Sequence, residues 1–120
     1  MITITGTCPS KSNSYRIIKL GQRYSLGKGK ELKDFEKSFA EQFQAGEMID
    51  VEFGIKIDVH YPSRRADLDN SLKVILDCLQ RNGAIKNDNK CVEIIAHRFV
   101  SVENPRIEFE LYKYESTKTN

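Results

Sequence analysis

The chain has 120 residues, of which 39% are hydrophobic and 30% are charged, values that fit one soluble domain and exclude a disordered tract. No apolar run approaches the length of a membrane span, and residues 1–5 lack the basic and apolar parts of a secretion signal. Three cysteines without a C-x-x-C pair argue against a zinc site and favour a reducing compartment. We therefore expect a cytoplasmic protein with no membrane partner.

The net charge of +2 says little about nucleic acid, but the charges are unevenly distributed along the chain. The first 30 residues carry no carboxylate and six cations, namely Lys11, Arg16, Lys19, Arg23, Lys28 and Lys30. A limb of one sign suits contacts with phosphate, although solvated turn charges would give the same pattern. A DNA-binding arm and an ordinary exposed hairpin are therefore both open.

The first half of the chain predicts strands around one helix. Alternating residues predict a strand at Ile2–Thr5, and the runs Tyr15–Leu20 and Arg23–Leu26 predict a hairpin. A helix follows at Glu31–Gln44, with a stripe of phenylalanines that is typical of a core-facing side. Val51–Tyr61 alternates strictly between apolar and polar residues and is the clearest strand of the sequence.

The second half predicts a helix and two further strands. Apolar residues at helical spacing predict a helix from Leu68 to about Arg81, ended at Gly83. Val92–Val100 has apolar residues on both sides, which favours a central strand, and Arg106–Tyr114 predicts the last strand. We expect an α+β fold, in which residues 1–115 form a single domain with a mixed β-sheet and two main helices packed on it. A polar tail at 116–120 should be disordered.

The helix that starts at Leu68 carries acidic residues at its beginning. Asp67 stands at the N-cap position and Asp69 in the first turn, where unpaired backbone N–H groups and the helix dipole favour ionised carboxylates. Lys73 follows Asp69 by one turn on the same face. Helix capping is the ordinary explanation of such an acidic pair, so the residue types alone do not establish catalysis.

A polar connector follows the helix and carries a third carboxylate, Asp88. If this connector returns along the helix, Asp88 would lie beside Asp67 and Asp69. Three carboxylates with open water positions suit Mg²⁺, for which Mn²⁺ would substitute. An adjacent Lys73 would neutralise a phosphate without competing for the metal.

The run D-L-D-N-x-x-K at residues 67–73, followed by Asp88 in a polar turn before a strand, resembles the RusA family of Holliday-junction resolvases. Residues 8–13 are similar to the family's Pro/Ser/Lys/Asn stretch, and the resemblance extends from Ile4 to Leu111. Asn87 stands where many members have aspartate. The resemblance implies a Mg²⁺-dependent endodeoxyribonuclease that resolves four-way DNA junctions by paired symmetric nicks as a homodimer, in DNA recombination and repair.

Under this hypothesis individual residues take defined roles. The catalytic residues would be Asp67, Asp69, Asp88 and Lys73, and the three aspartates would bind the metal. The DNA-binding residues would be Lys11, Arg16, Lys19, Arg23, Arg64, Arg65 and Asn70.

Two other hypotheses stay open at the level of sequence. The chain could be a non-catalytic DNA-junction-binding module whose aspartates only cap a helix, or a protein-interaction domain with no role on DNA. Substitution of Asp67 or Asp88 by asparagine separates them, because only the nuclease has cleavage to lose.

Overall fold

The structure is a computed structural model that describes residues 1–10, 15–20 and 23–114, with the backbone alone described at 15–20 and 23–28. The predicted tail at 116–120 lies outside the described residues. The described elements, in chain order, are β1 (Ile2–Thr5), β2 (Tyr15–Leu20), β3 (Arg23–Lys28), α1 (Lys30–Gln42), β4 (Phe53–Tyr61), α2 (Leu68–Arg81), β5 (Cys91–Val100) and β6 (Arg106–Lys113).

Each predicted helix and strand is present, with ends that differ from the prediction by at most two residues. A single 3₁₀ turn, Asp88–Lys90, precedes β5. The predicted α+β class, with a mixed sheet and two helices, is confirmed. Neither helix in the described part of the chain is long and apolar enough to cross a membrane.

Four strands form one sheet in the order β1-β6-β4-β5, while β2 and β3 pair with each other as an antiparallel hairpin. β4 lies inside the sheet, antiparallel to β6 and parallel to β5. Within the described residues β5 pairs only with β4 and is an edge strand. The predicted central position of this strand is therefore wrong for a single chain, because no strand described here covers its second edge.

The core lies on one face of the sheet. Alternate residues of β4, from Phe53 to Tyr61, are buried in one cluster with Phe35 and Phe39 of α1 and with Ile75 and Leu79 of α2. Both helices therefore pack on this face, which we call the helix face. The predicted core role of the phenylalanine stripe is confirmed. The other face, which we call the open face, carries no helix among the described residues.

Both ends of α2 lie where the sequence predicts them. Asp67 occupies the N-cap position with extended backbone, and the amide of Ser71 donates to its carbonyl at 3.4 Å. At the other end Gly83 has a φ of +80°, which a side chain would strain, and the amide of Ala84 donates to the carbonyl of Leu79 at 2.9 Å. The result is a helix of 14 residues, about 21 Å long.

Candidate active site

A short segment, residues 62–67, joins the end of β4 to the N-terminus of α2. Arg98 of β5 holds this segment, since its Nη1 donates to the carbonyl of Arg64 at 3.2 Å and to that of Ala66 at 3.0 Å. Arg98 is not among the residues that the sequence singles out, because a cation in a strand that also contains Glu93 and His97 gives no signal of this contact.

A buried chain of hydroxyl groups fixes the first turns of α2 against the N-terminal segment. The hydroxyl of Tyr61 donates to Ser71 Oγ at 2.5 Å, and the hydroxyl of Ser71 donates to the carbonyl of Pro9 at 2.7 Å. Ser71 is fully buried, so both bonds are shielded from water. Burial also raises the pKa of Tyr61 to about 12, which keeps its hydroxyl a donor. Pro9 and the residues before it are thus held beside the acidic helix start.

Asp67 and Asp69 both lie exposed at this helix start. The carboxylate of Asp67 makes no capping hydrogen bond to the backbone of α2. Its Oδ2 instead accepts a long hydrogen bond of 3.4 Å from Asn70 Nδ2. Capping therefore explains the position of Asp67 in the chain but not the use of its side chain, and the carboxylate faces solvent where a cation can reach it.

Three cations surround the acidic pair. Lys73 is exposed one turn beyond Asp69, and Arg64 and Arg65 are exposed just before Asp67. None of the ion pairs between described residues involves these three cations. The helix start therefore combines two carboxylates with positive groups that are free to meet phosphate.

Asp88 lies near the opposite end of α2 from Asp67 and Asp69. It opens the 3₁₀ turn before β5, and its amide donates to Gln80 Oε1 at 2.9 Å, in the last turn of α2. Asp88 is thus on the order of 20 Å along the helix axis from Asp67. Among the described residues, no group of three or more His, Cys, Asp or Glu side chains could hold a metal ion. The expectation that the connector returns Asp88 beside Asp67 and Asp69 is wrong within one chain.

The physical reason is the parallel pairing of β4 with β5. Cys91, the first residue of β5, lies beside Phe53, the first described residue of β4, and Val100 lies beside Tyr61. The chain leaves β4 at one end of the sheet and must travel along α2 to start β5 at the other end. Asp67 therefore lies at one end of this crossover and Asp88 at the other. Within one chain, the third carboxylate proposed for the metal therefore lies away from the other two.

The structure describes only the backbone of the hairpin in the predicted basic arm. The hairpin prediction is confirmed, with Tyr15 opposite Lys28 and Leu20 opposite Arg23. The side chains of Arg16, Lys19 and Arg23 lie outside the described part of the structure, as does the whole of Lys11. Their contacts with DNA therefore stay predictions.

The sequence comparison connects this geometry with known proteins. A model of the family described as Endodeoxyribonuclease RusA matches residues 7–112, which include both helices, the acidic helix start and Asp88.

The chain belongs to the RusA family.

One curated relative carries the RusA name, the Crossover junction endodeoxyribonuclease RusA of Aquifex aeolicus (strain VF5). It is 44% identical to this chain over 55 residues, which are 45% of this chain and 43% of the relative. This chain therefore matches less than half of the length of that relative. The RusA resemblance inferred from the D-L-D-N-x-x-K run is confirmed at the level of the family.

Proposed function

We propose that this RusA-family protein is a Mg²⁺-dependent endodeoxyribonuclease that resolves four-way DNA junctions by paired symmetric nicks as a homodimer. Membership of an endodeoxyribonuclease family supports the reaction class, and the name of the Aquifex relative supports a crossover junction as substrate. The observation that carries the proposal is the exposed pair Asp67 and Asp69, because the carboxylate of Asp67 is not spent on capping its helix.

The metal part of the proposal rests on donor chemistry. Carboxylate oxygens are the ligands that Mg²⁺ prefers, and we assign it to Asp67, Asp69 and Asp88, with Mn²⁺ as a substitute. When bound, Mg²⁺ supplies a Lewis acid for the scissile phosphate and lowers the pKa of a bound water. Since one chain brings only the first two aspartates together, the complete set requires a donor from outside that chain.

The remaining roles belong to side chains around the helix start. Lys73 places positive charge where the phosphate gains negative charge in the transition state. Arg64 and Arg65 bind the phosphates that flank the cut, since a guanidinium offers two parallel donors to a phosphate. Asn70 orients the Asp67 carboxylate through the bond of 3.4 Å to its Oδ2.

The homodimer follows from the symmetry of the reaction. Two equivalent nicks need two equivalent active sites, and a protein with a two-fold axis presents them in the same relative orientation as the arms of a junction. A monomer would release a nicked junction between its two cuts.

The alternative, a junction-binding module whose aspartates only cap the helix, requires the Asp67 carboxylate to be a capping group. Such a module would use the carboxylate to accept hydrogen bonds from the first amides of α2. That bond is absent at Asp67, which favours the nuclease.

The test compares a synthetic four-way junction with a linear duplex of the same sequence, with and without Mg²⁺. We expect cleavage of the junction only, and only with the metal. Asp67→Asn should lower the cleavage rate by at least on the order of 10²-fold, while junction binding persists or tightens because repulsion of phosphate falls.

Asp77→Asn is the matched control, since it removes a carboxylate from the same helix nearly three turns beyond Asp67 and should cleave like the wild type. Equal cutting of junction and duplex would reject junction selectivity. An absence of cutting with Mg²⁺ and with Mn²⁺ would reject the nuclease.

A further inference from the structure

A cavity of about 780 Å³ opens beside the acidic helix start. Its described walls come from three parts of the chain, namely residues 6–10 of the N-terminal segment, residues 31–38 in the first half of α1, and residues 61–66 at the end of β4 and directly before Asp67. Ligand pockets in proteins commonly have volumes of about 300–1,000 Å³. The cavity is therefore large enough for a small organic group such as one nucleotide.

Buried residues form the walls of this cavity. Phe35 and Tyr61 belong to the hydrophobic core, and Pro9 is held by the hydrogen bond that Ser71 Oγ donates to its carbonyl at 2.7 Å. Walls that are fixed in this way keep the cavity open without a ligand, and apolar walls suit the flat faces of an aromatic ring. The cavity is therefore a preformed site for a ligand that contains such a ring.

The rim of the cavity carries charges of both signs. Arg65 lines it and is exposed, and so are the carboxylates of Glu31 and Asp34. Asp34 accepts a hydrogen bond of 3.0 Å from Lys30 Nζ, whereas Glu31 makes no ion pair within the described part of the chain. Carboxylates repel phosphate but accept hydrogen bonds from N–H groups, and a guanidinium binds phosphate. This rim suits a ligand with both a phosphate and N–H donors.

We propose that this cavity, which we call the base pocket, receives an unpaired nucleobase next to the scissile phosphate, and that Glu31 or Asp34 accepts a hydrogen bond from its exocyclic amino group. Cytosine, adenine and guanine carry such a group and thymine does not, so the pocket selects against thymine. This proposal deepens the proposed function and rests on it. It adds a reading of sequence to an enzyme that recognises the shape of its substrate.

The position of the base pocket fits this role. Ala66 lines the pocket and directly precedes Asp67, so their Cα atoms lie about 3.8 Å apart. A phosphate held at the acidic helix start is therefore within the reach of one nucleotide from the pocket, and Arg65 lies between the two. Extruding a base from a stack costs a few kcal/mol, and least where pairing or stacking is already interrupted, as at the branch point of a junction. A linear duplex meets the full cost, so the pocket also favours junctions.

The first test measures cleavage with Mg²⁺ of four synthetic junctions that differ only in the base pair at one nucleotide flanking the scissile phosphate. The series is then repeated at the nucleotide on the other side of the cut. At one of the two positions, we expect the junction with thymine to be cut at least about tenfold more slowly than the best of the other three, since one base contact discriminates by about 1–3 kcal/mol.

Glu31→Ala/Asp34→Ala tests the carboxylates. The four rates should then come within about threefold of one another, because the acceptors that distinguish the bases are gone. Glu41→Ala/Glu47→Ala is the matched control, since it removes the same charge at exposed positions outside the pocket, and it should keep the wild-type preference. A preference that survives in the first variant would overturn the role of the two carboxylates.

The wild type separates this proposal from the one on which it rests. Equal rates on all four junctions, at both positions, would overturn the base pocket and leave the proposed nuclease standing. A wild type that cuts no junction would instead reject the nuclease, and the pocket is then judged by binding alone.

The second test measures binding without metal and needs no activity. 2-Aminopurine, a fluorescent base with an exocyclic amino group, replaces each flanking nucleotide in turn and is excited beyond the absorption of the protein. Extrusion into the pocket should raise its fluorescence at least about twofold, because the base leaves its stack. Acrylamide should quench it less than the free nucleoside, because the pocket encloses the base.

Thr7→Trp fills the mouth of the pocket, where Thr7 is exposed, and should abolish both signals while the junction still binds. Thr3→Trp is the matched control, since Thr3 is exposed on β1 outside the pocket, and it should behave like the wild type. A bound junction whose 2-aminopurine stays dark at both positions, or equal signals from both variants, would overturn the base pocket. A protein that binds no junction would reject the proposed function itself.

Discussion

At the scale of single residues, the start of α2 has an aspartate at the N-cap position whose carboxylate does not cap the helix. A carboxylate at the N-cap position is favoured because it can accept hydrogen bonds from the first backbone amides of the helix. The Asp67 side chain makes no such bond and instead accepts one from Asn70 Nδ2. Lys73 extends from the same helix as an exposed ammonium without an ion pair among the described residues. These side chains are therefore available for an anionic substrate and its cation.

Lys73→Met tests the role of the ammonium group. It keeps the length of the side chain and removes the charge, so single-turnover cleavage at saturating enzyme should fall about 10²–10³-fold. Lys33→Met, at an exposed position on α1, is the control and should cleave normally. A Lys73→Met protein that cleaves as fast as the wild type would remove this residue from the active site. Both variants should unfold at the wild-type temperature, because both positions are exposed.

At the scale of elements, a side-chain hydrogen bond from β6 to β5 crosses β4 at a glycine. In the register of the sheet, Gly54 of β4 lies between Tyr112 of β6 and Glu93 of β5. The hydroxyl of Tyr112 donates to Glu93 Oε1, and its ring lies over Gly54, where an added Cβ would overlap it. The hydrogen bond to Glu93 raises the pKa of Tyr112 to about 12. The missing side chain at Gly54 thus allows β6 to hold the edge strand β5.

Gly54→Ala tests this tie. The added methyl group would force the Tyr112 ring away, so we expect a loss of about 1–3 kcal/mol in the free energy of unfolding, measured by urea denaturation. Gly46→Ala is the control, since nothing lies within 4 Å of a Cβ built there, and its effect should stay within about 0.5 kcal/mol. Equal effects of the two substitutions would contradict the proposed tie.

At the scale of the whole molecule, the described protein is a two-layer structure with one covered face and one open face. The crossover from β4 through α2 to β5 places Asp67 and Asp88 at opposite ends of the sheet. Within the described residues of one chain, the three aspartates proposed for the metal therefore do not meet.

Three side chains of the folded protein keep their protons at an alkaline pH at which they would lose them in the unfolded chain. Burial raises the pKa of Cys8 from 9.0 to about 12 and that of Tyr61 from 10.0 to about 12, and the bond to Glu93 raises that of Tyr112 to about 12. The folded state therefore binds more protons than the unfolded state in this window. Its stability should be fully present below pH 9 and should fall as the pH rises toward 12.

Urea denaturation at intervals from pH 8 to pH 11.5 would measure this decline. Tyr61→Phe removes one of the groups, so its stability should fall less steeply with pH even though its absolute stability is lower. The slope is the readout. A slope equal to that of the wild type would show that Tyr61 releases its proton at the same pH in both states.

How much of this protein could be predicted from its sequence depends on how local each feature is. The alternation in β4 and the spacing of the apolar residues in α2 fixed both elements to within two residues of their observed ends. Asp67, Asp69 and Lys73 were predicted to lie together because a single helix start positions all three. Residues one turn apart are neighbours whatever the rest of the chain does.

The tertiary structure decided what lies far apart along the chain. It placed Asp88 at the other end of α2, made β5 an edge strand, and recruited Arg98 and Ser71 to hold the helix start. None of these follows from local spacing, because strand order and direction are set by the burial of side chains across the whole sheet. The sequence by itself determined the elements and the family, and the pairing of strands decided which of the proposed site residues lie together and which lie apart.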